Sequence, residues 1–234
     1  MYPGTPAANR QTTTMELSAA EARVLACLIE KEVAVADSYP LTLNALRLAC
    51  NQATNRHPVV AYDDRTVEAA LLSLKSMGLV RFVHPSHGGR TIRYRHSADE
   101  RWRMSPAEVG VLAVLVLRGA QTTNEVRTRA ERHLQGDDGP VSADEVLDAL
   151  AARSPDPFAV RLERRPGERE GRWAHALTDV EHAHADELTD GTAASGPPPE
   201  TPVDQDLARD VAELWARVER LERALGLDED VSSS

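Results

Sequence analysis

The apolar residues of this chain recur with a helical period, and the first such stretch is repeated later in the chain. Leu17-Ser-Ala-Ala-Glu-Ala-Arg-Val-Leu25 matches Met104-Ser-Pro-Ala-Glu-Val-Gly-Val-Leu112 at an offset of 87 residues. Each copy has a serine followed three residues later by glutamate, a spacing that predicts an N-terminal capping box. The apolar pattern predicts helices that end near Glu30 in the first copy and near Arg118 in the second.

Further elements follow each copy in the same order. The pattern predicts second helices over about 41–53 and 123–133, and third helices over about 64–77 and 143–153, the last with a capping box at Ser142 and Glu145. Alternating apolar and polar residues after each third helix predict a β-hairpin. Three helices followed by a hairpin is the order of a winged helix. We therefore expect a mainly α fold with small β-hairpins (α+β), in which two tandem winged-helix domains occupy 15–102 and 103–177.

The C-terminal part of the chain has a different composition. Residues 178–203 are acidic and rich in proline, which predicts a linker, and disorder is expected for 1–14 and 228–234. Residues 204–227 predict a coiled-coil helix, with valines at heptad position a and leucines at d, a combination that favours parallel dimers. Packing of this helix against its own chain, or against a helix of another protein, is the alternative. The predicted dimerisation residues are Leu207, Val211, Leu214, Val218, Leu221 and Leu225.

Several short motifs resemble the YceH-like family of bacterial proteins. The resemblance covers about residues 15–177 and implies a tandem winged-helix fold; the family has no established biochemical activity. The motifs are Glu30-Lys31, Tyr39-Pro-Leu41, Cys50-Asn-Gln-Ala-Thr-Asn-Arg56, Arg118-Gly-Ala-Gln-Thr122 and Arg161-Leu-Glu-Arg-Arg-Pro-Gly-Glu-Arg-Glu170.

The charge of the chain is concentrated in its tail. The net charge is −10, and residues 178–234 contribute −11, so the two predicted domains are together close to neutral. A neutral body neither requires nor excludes nucleic acid. Residues 1–14 lack the apolar run of a secretory signal, and no stretch approaches the roughly 20 apolar residues that span a bilayer. We expect a cytoplasmic protein without a membrane partner, in which Cys27 and Cys50 are small core residues.

Basic residues of the first predicted domain form the candidate nucleic-acid interface. Period-2 alternation places Val80, Phe82, Ile92 and Tyr94 on the inner face of the first hairpin, so that its arginines face outward; an ordinary solvated strand face is the alternative. In the second domain, Asp144, Glu145 and Asp148 on the third helix would repel a phosphate backbone. Interleaved charges in the second hairpin favour internal ion pairs. The candidate residues for DNA are Arg56, Arg65, Lys75, Arg81, Arg90, Arg93 and Arg95.

The most distinctive motif is the loop after the second helix. Its Asn51, Gln52, Thr54 and Asn55 carry polar side chains that can bind base edges. The same side chains can instead cap the preceding helix and satisfy backbone groups. Both interpretations stay open from the sequence.

No arrangement of residues in the sequence indicates catalysis. It shows no nucleophile with a base and an orienting group, no set of metal ligands and no phosphate-binding glycine loop, so we expect no enzyme, cofactor or metal. The predicted function is a dimeric, non-enzymatic protein of DNA-associated or transcriptional regulation. The alternative is a protein-interaction scaffold whose winged helices dock protein partners without binding DNA.

Overall fold

The computed structural model describes residues 16–85, 91–136, 139–164, 167–168 and 170–178. All of them belong to the first of the two units into which the chain divides, Met1–Thr189. The fold of these residues mixes helices with small antiparallel sheets. The elements are α1 (Ala19–Ala34), a 3-10 turn (Ala36–Ser38), β1 (Leu41–Thr42), α2 (Leu43–Cys50), α3 (Asp64–Ser76), β2 (Val80–Val83), β3 (Arg93–His96), α4 (Ala98–Trp102), α5 (Pro106–Arg118), α6 (Thr123–Arg129), β4 (Gln135–Gly136), β5 (Gly139–Pro140), α7 (Ala143–Ala151), β6 (Ala159–Arg161) and β7 (Trp173–His175).

The repeated order of elements is confirmed. Helices α1, α2 and α3 precede the antiparallel hairpin β2–β3, and α5, α6 and α7 precede the antiparallel hairpin β6–β7. The predicted inner face of the first hairpin is also confirmed at Val80 and Tyr94, which are buried, and the rings of Phe82 and Tyr94 meet edge to face at 4.9 Å between centroids. Each half of the described chain therefore has three helices followed by a hairpin, and in the first half the short helix α4 follows that hairpin.

Short elements and helix ends differ from the sequence predictions. The second helix loses its first two predicted residues because Leu41 and Thr42 pair with β3 instead. The strand pair β4–β5 and the short helix α4 were not predicted, and α6 ends at Arg129, well before the expected residue. Helix α1 extends four residues beyond Glu30. These segments are too short to carry a periodic pattern, so only tertiary pairing defines them.

Side-chain caps start most of the longer helices. Ser18 with Glu21, and Ser105 with Glu108, form the two predicted capping boxes, and Thr122 with Glu125 forms a third at α6. Each box satisfies two backbone N–H groups that a helix start leaves without partners. The capping box predicted at the start of α7 is wrong, because the side chain of Ser142 makes no cap hydrogen bond.

Helices α1 and α5 form the centre of the described unit. Residues 22–29 of α1 and 109–117 of α5 are buried without interruption, and the buried residues of both halves form one hydrophobic cluster. This burial is in keeping with residues 109–117, which carry no charged or polar side chain on any side of α5. Gly110 allows the close contact that α5 makes, because a Cβ there would lie 2.2 Å from the ring of His133.

Two buried arginines hold the loop 51–58 against this core. The guanidinium of Arg23 donates to the carbonyl of Pro58 at 2.7 Å. Arg56 donates to both carboxylate oxygens of Glu30, at 3.0 and 2.6 Å, and to the carbonyl of Ala49 at 3.1 Å. The side chain of Arg56 is fully buried. Burying a cation is favourable only when it is paired and hydrogen-bonded in this way.

We expect Arg56→Met to lower the free energy of unfolding by about 2 kcal/mol, because it leaves the Glu30 carboxylate and the Ala49 carbonyl without their donor. Urea denaturation of the full chain measures the effect. Arg65→Met, which changes an exposed arginine, is the matched control and should shift stability by less than about 0.5 kcal/mol. Equal stability of both variants would contradict the structural role of Arg56.

We expect the stability of the fold to decrease on acidification because of His175. Burial lowers the pKa of His175 to about 4, whereas the unfolded chain protonates this group near pH 6.5. Between those values the unfolded state binds more protons, so the free energy of unfolding falls as the pH falls, by up to roughly 3 kcal/mol. Denaturation of His175→Gln against pH should remove this part of the dependence. The exposed His84→Gln should retain it, and identical profiles for His175→Gln and wild type would contradict the assignment.

Candidate nucleic-acid interface

The outer face of the β2–β3 hairpin carries three of the predicted arginines. Arg81 and Arg95 are directly opposite each other in the register, and Arg93 is opposite Val83. Like charges in opposed positions destabilise a strand pair. Glu100 relieves this repulsion, since it forms an ion pair with Arg81 and lies 3.9 Å from a guanidinium nitrogen of Arg95. The predicted outward-facing arginines of this hairpin, Arg81, Arg93 and Arg95, which we call the ribbon, are therefore present, and one carboxylate pairs with two of them.

Arg93 is oriented differently from its neighbours. Its guanidinium donates to the backbone carbonyl of Pro40 at 2.8 Å and to that of Ser38 at 3.4 Å. These bonds attach the hairpin to the segment before β1 and leave the charge of Arg93 exposed at the surface. Arg90, the fourth predicted arginine of this hairpin, lies outside the described residues.

The exposed face of α3 adjoins this hairpin. Arg65 and Lys75 lie on it, and the ammonium of Lys75 is 4.3 Å from the centre of the Phe82 ring, which links α3 to β2. Two acids, Asp63 and Asp64, lie at the start of α3, where they would repel a phosphate backbone, and both have partners. Asp63 accepts hydrogen bonds from the backbone N–H and the hydroxyl of Thr66, and these bonds lower its pKa.

Asp64, the second of these acids, has a cation beside it. Its carboxylate lies 2.7 Å from the Nε of Arg47, which projects from α2. This pair reduces the negative potential at the start of α3. The exposed face of α3 also contains Glu68 and Leu72, the latter with 61% of its surface exposed.

Arg56 does not belong to this surface, and its prediction as a DNA contact is corrected. The guanidinium has no solvent exposure and is occupied by Glu30 and by the side-chain oxygen of Gln52 at 2.8 Å. Burial raises the pKa of Glu30, but Arg56, with a further contribution from Lys31, more than offsets this effect, so the pKa lies below its ordinary value. The sequence motif therefore marks a structural ion pair between α1 and the loop.

The amides of the motif loop divide into two groups. Asn51 donates to the carbonyl of Tyr62 and accepts from the Tyr62 N–H, both at 2.8 Å. Gln52 accepts from Arg56 and, at 3.4 Å, from Lys31. These bonds fit the structural interpretation of both side chains. Thr54 and Asn55 are exposed at the tip of the loop, where Asn55 adopts a left-handed backbone conformation, φ 63°.

The second half presents a different arrangement of charge. Asp144, Glu145 and Asp148 are exposed on α7, as predicted. The nearby Arg153, just after α7, binds Glu108 at 2.7 Å and not these acids. One of the internal ion pairs predicted in the second hairpin is formed, between Arg172 and Glu168 at 3.2 Å.

Sequence reasoning missed two residues that shape the candidate surface. Glu100 lies on α4, a helix of five residues that produces almost no periodic signal. Arg47 lies near the end of α2, and only the approach of α3 brings it to Asp64. Pairs separated this far along the chain leave no local pattern in the sequence.

The other residues singled out from the sequence do not belong to this surface. Cys27 and Cys50 are buried in α1 and α2, as predicted, and burial together with a hydrogen bond between them raises the pKa of the Cys50 thiol. The predicted dimerisation residues, from Leu207 to Leu225, lie outside the described residues. Within the described part of the chain, no helix combines the length and apolar character that crossing a bilayer demands.

Comparison with known proteins identifies relatives over the same part of the chain. A family model described as a protein of unknown function, DUF480, matches residues 17–168. A UPF0502 protein of Geobacter sulfurreducens is 48% identical over 174 residues, 74% of this chain and 77% of that protein. UPF0502 proteins of Serratia proteamaculans and Chromobacterium violaceum are 45% and 44% identical, over 68% and 70% of this chain and 76% and 74% of their own lengths. The chain therefore belongs to the DUF480 (UPF0502) family, the YceH-like bacterial family that its sequence motifs indicated.

Proposed function

We propose that this chain is a non-enzymatic, DNA-associated regulator whose two halves are winged-helix domains. In this proposal the first half contacts duplex DNA through the outer face of β2–β3 and the exposed face of α3. The observation that carries the proposal is the ribbon of Arg81, Arg93 and Arg95 beside Lys75 on α3. A winged helix places its third helix in the major groove and its hairpin on the backbone, which matches these two adjoining surfaces.

The ion pairs of the ribbon are compatible with phosphate contacts. Arg81, Arg95 and Glu100 all have side chains that are 40% exposed or more. Exposed pairs of this kind contribute about 1 kcal/mol or less, so a DNA phosphate can replace the carboxylate at little cost. The planar guanidinium also binds phosphate in a bidentate manner.

A second candidate function is docking of protein partners. The exposed acids of α7 disfavour a phosphate backbone on that helix, and Leu72 leaves an exposed apolar side chain on α3. A protein partner with a basic and apolar surface would complement both features. Under this alternative, neither half binds DNA.

We expect the full chain to bind duplex DNA with a strong dependence on salt. The variant carrying Arg81→Ala, Arg93→Ala and Arg95→Ala should flatten the slope of log K against log salt by about three, since each arginine accounts for one phosphate contact. Fluorescence anisotropy of a labelled duplex measures both slopes.

Glu100→Gln provides the opposite test within the same surface. It removes the carboxylate that competes for Arg81 and Arg95, so DNA affinity should rise several-fold. Arg132→Ala, an exposed arginine of the other half, is the control and should leave the affinity unchanged. Absence of DNA binding at low ionic strength would favour the protein-docking function.

We also propose that the heptad segment 204–227 makes the protein a dimer. Light scattering should then give about twice the chain mass of 25.6 kDa. Leu214→Lys places a charge at a central d position and should yield the monomer, whereas Ala216→Lys, at the outward f position, should leave the dimer intact. A monomeric wild-type chain, or equal masses for both variants, would contradict the coiled-coil proposal.

A further inference from the structure

A polar groove lies in the second half of the fold, and none of its lining residues belongs to the proposed DNA surface. It is bounded by the start of α6, the first turn of α7 and the β6–β7 hairpin, and it has a volume of about 790 Å³. Its walls include three arginines, Arg127, Arg161 and Arg164, and two acids, Asp144 and Glu170. A concave site of this size is within the usual range for small-molecule ligands.

The three arginines of the groove are exposed, and none of them is neutralised by a described carboxylate. Arg127 bonds the side-chain oxygen of Asn124, an uncharged partner. The guanidinium of Arg161 lies 5.7 Å from the centre of the Trp173 ring, which fixes the side chain without compensating its charge. Arg164 has no ion pair or hydrogen bond with any residue that the structure describes.

Other arginines of the second half differ from those in the groove, because they are paired with carboxylates. Three other arginines of this half each have a carboxylate partner. Arg129 binds Glu125 and also Gln121, Arg153 binds Glu108, and Arg172 binds Glu168. Those that line the groove have none among the described residues. Three guanidiniums around one concavity repel each other, and an anion between them would remove that repulsion.

We propose that this groove binds the phosphate groups of a nucleotide. Guanidiniums bind phosphate oxygens in a bidentate manner, and the hydroxyl of Thr123, which also lines the groove, is a further donor. The groove is larger than a phosphate group requires. Asp144 and Glu170 accept hydrogen bonds, which suits the sugar hydroxyls of a nucleotide.

The proposal does not depend on DNA binding by the first half, because the two surfaces share no residue. A nucleic-acid backbone carries the same phosphate chemistry and is the other possible source of the ligand. The experiment therefore includes a free nucleotide, pyrophosphate and a DNA duplex as separate probes.

Equilibrium dialysis of the full chain against labelled ADP tests the groove. The wild type should retain ADP at low ionic strength, and pyrophosphate should compete with it. Arg164→Ala should weaken retention about tenfold, the loss expected for one charge-assisted contact to phosphate. Arg164→Lys should retain part of the affinity, because it keeps the charge and loses the bidentate geometry.

Two controls locate the binding site. Arg132→Ala, an exposed arginine of the same half outside the groove, should retain ADP as the wild type does. The triple variant Arg81→Ala, Arg93→Ala and Arg95→Ala should also retain it, whether or not it loses DNA binding.

Asp144→Asn is a further test of the groove. It should strengthen binding of pyrophosphate several-fold, because it removes a negative charge that repels the anion.

Three results would overturn the proposal. The first is no retention of ADP by the wild type at low ionic strength. The second is equal retention by Arg164→Ala and Arg132→Ala, which would place the nucleotide elsewhere. The third is loss of duplex binding in Arg164→Ala without any ADP binding, which would make the backbone of nucleic acid the source of the phosphate.

Discussion

The contact between α1 and α5 is the constraint on which the rest of this fold depends. Each helix begins one half of the described chain, and each is buried over more than two turns, so neither half can cover its own first helix alone. Two backbone bonds across the halves accompany this contact. Leu17 N–H donates to Leu177 at 2.7 Å, and His57 N–H donates to Leu117 at 2.7 Å. The apolar area removed from water between α1 and α5 is therefore shared by both halves.

Burial of the first helices determines which surfaces are available for binding. Because α1 and α5 are buried, the third helix and the hairpin of each half provide its exposed faces. The motif loop 51–58 is different, because its side chains Arg56 and Asn51 are held against the core while its tip, Thr54 and Asn55, is exposed. Its polar groups had to be satisfied there, and Arg23, Arg56 and Asn51 supply the hydrogen bonds. A distinctive sequence motif therefore marks a structural joint.

The sequence predicted those features that have a local cause. The order of elements within each repeat, the capping boxes of α1 and α5 and the burial of residues 109–117 of α5 follow from residues a few positions apart. The burial of Arg56 could not be predicted in this way, because its partner Glu30 lies 26 residues earlier and only the packing of the loop on α1 joins them. The same reason applies to Glu100, which binds the hairpin from a short helix with no periodic pattern. Ser142 shows the converse, since the correct motif was present and the cap was not formed.

Arginines in the two hairpins have different surroundings, and this difference separates the roles proposed for the two halves. In the first hairpin, Arg81 and Arg95 lie on the outer strand face and share Glu100, so any phosphate there must compete with a half-exposed carboxylate. In the second, Arg161 and Arg164 line a concavity in which no described carboxylate pairs with them. An outward-facing strand with several arginines suits the extended backbone of a duplex, where many weak contacts add up and salt weakens all of them together. A concave site concentrates several guanidiniums on one small anion, so its affinity depends on the geometry of individual contacts. The two surfaces can thus bind different classes of ligand although both are built from arginine.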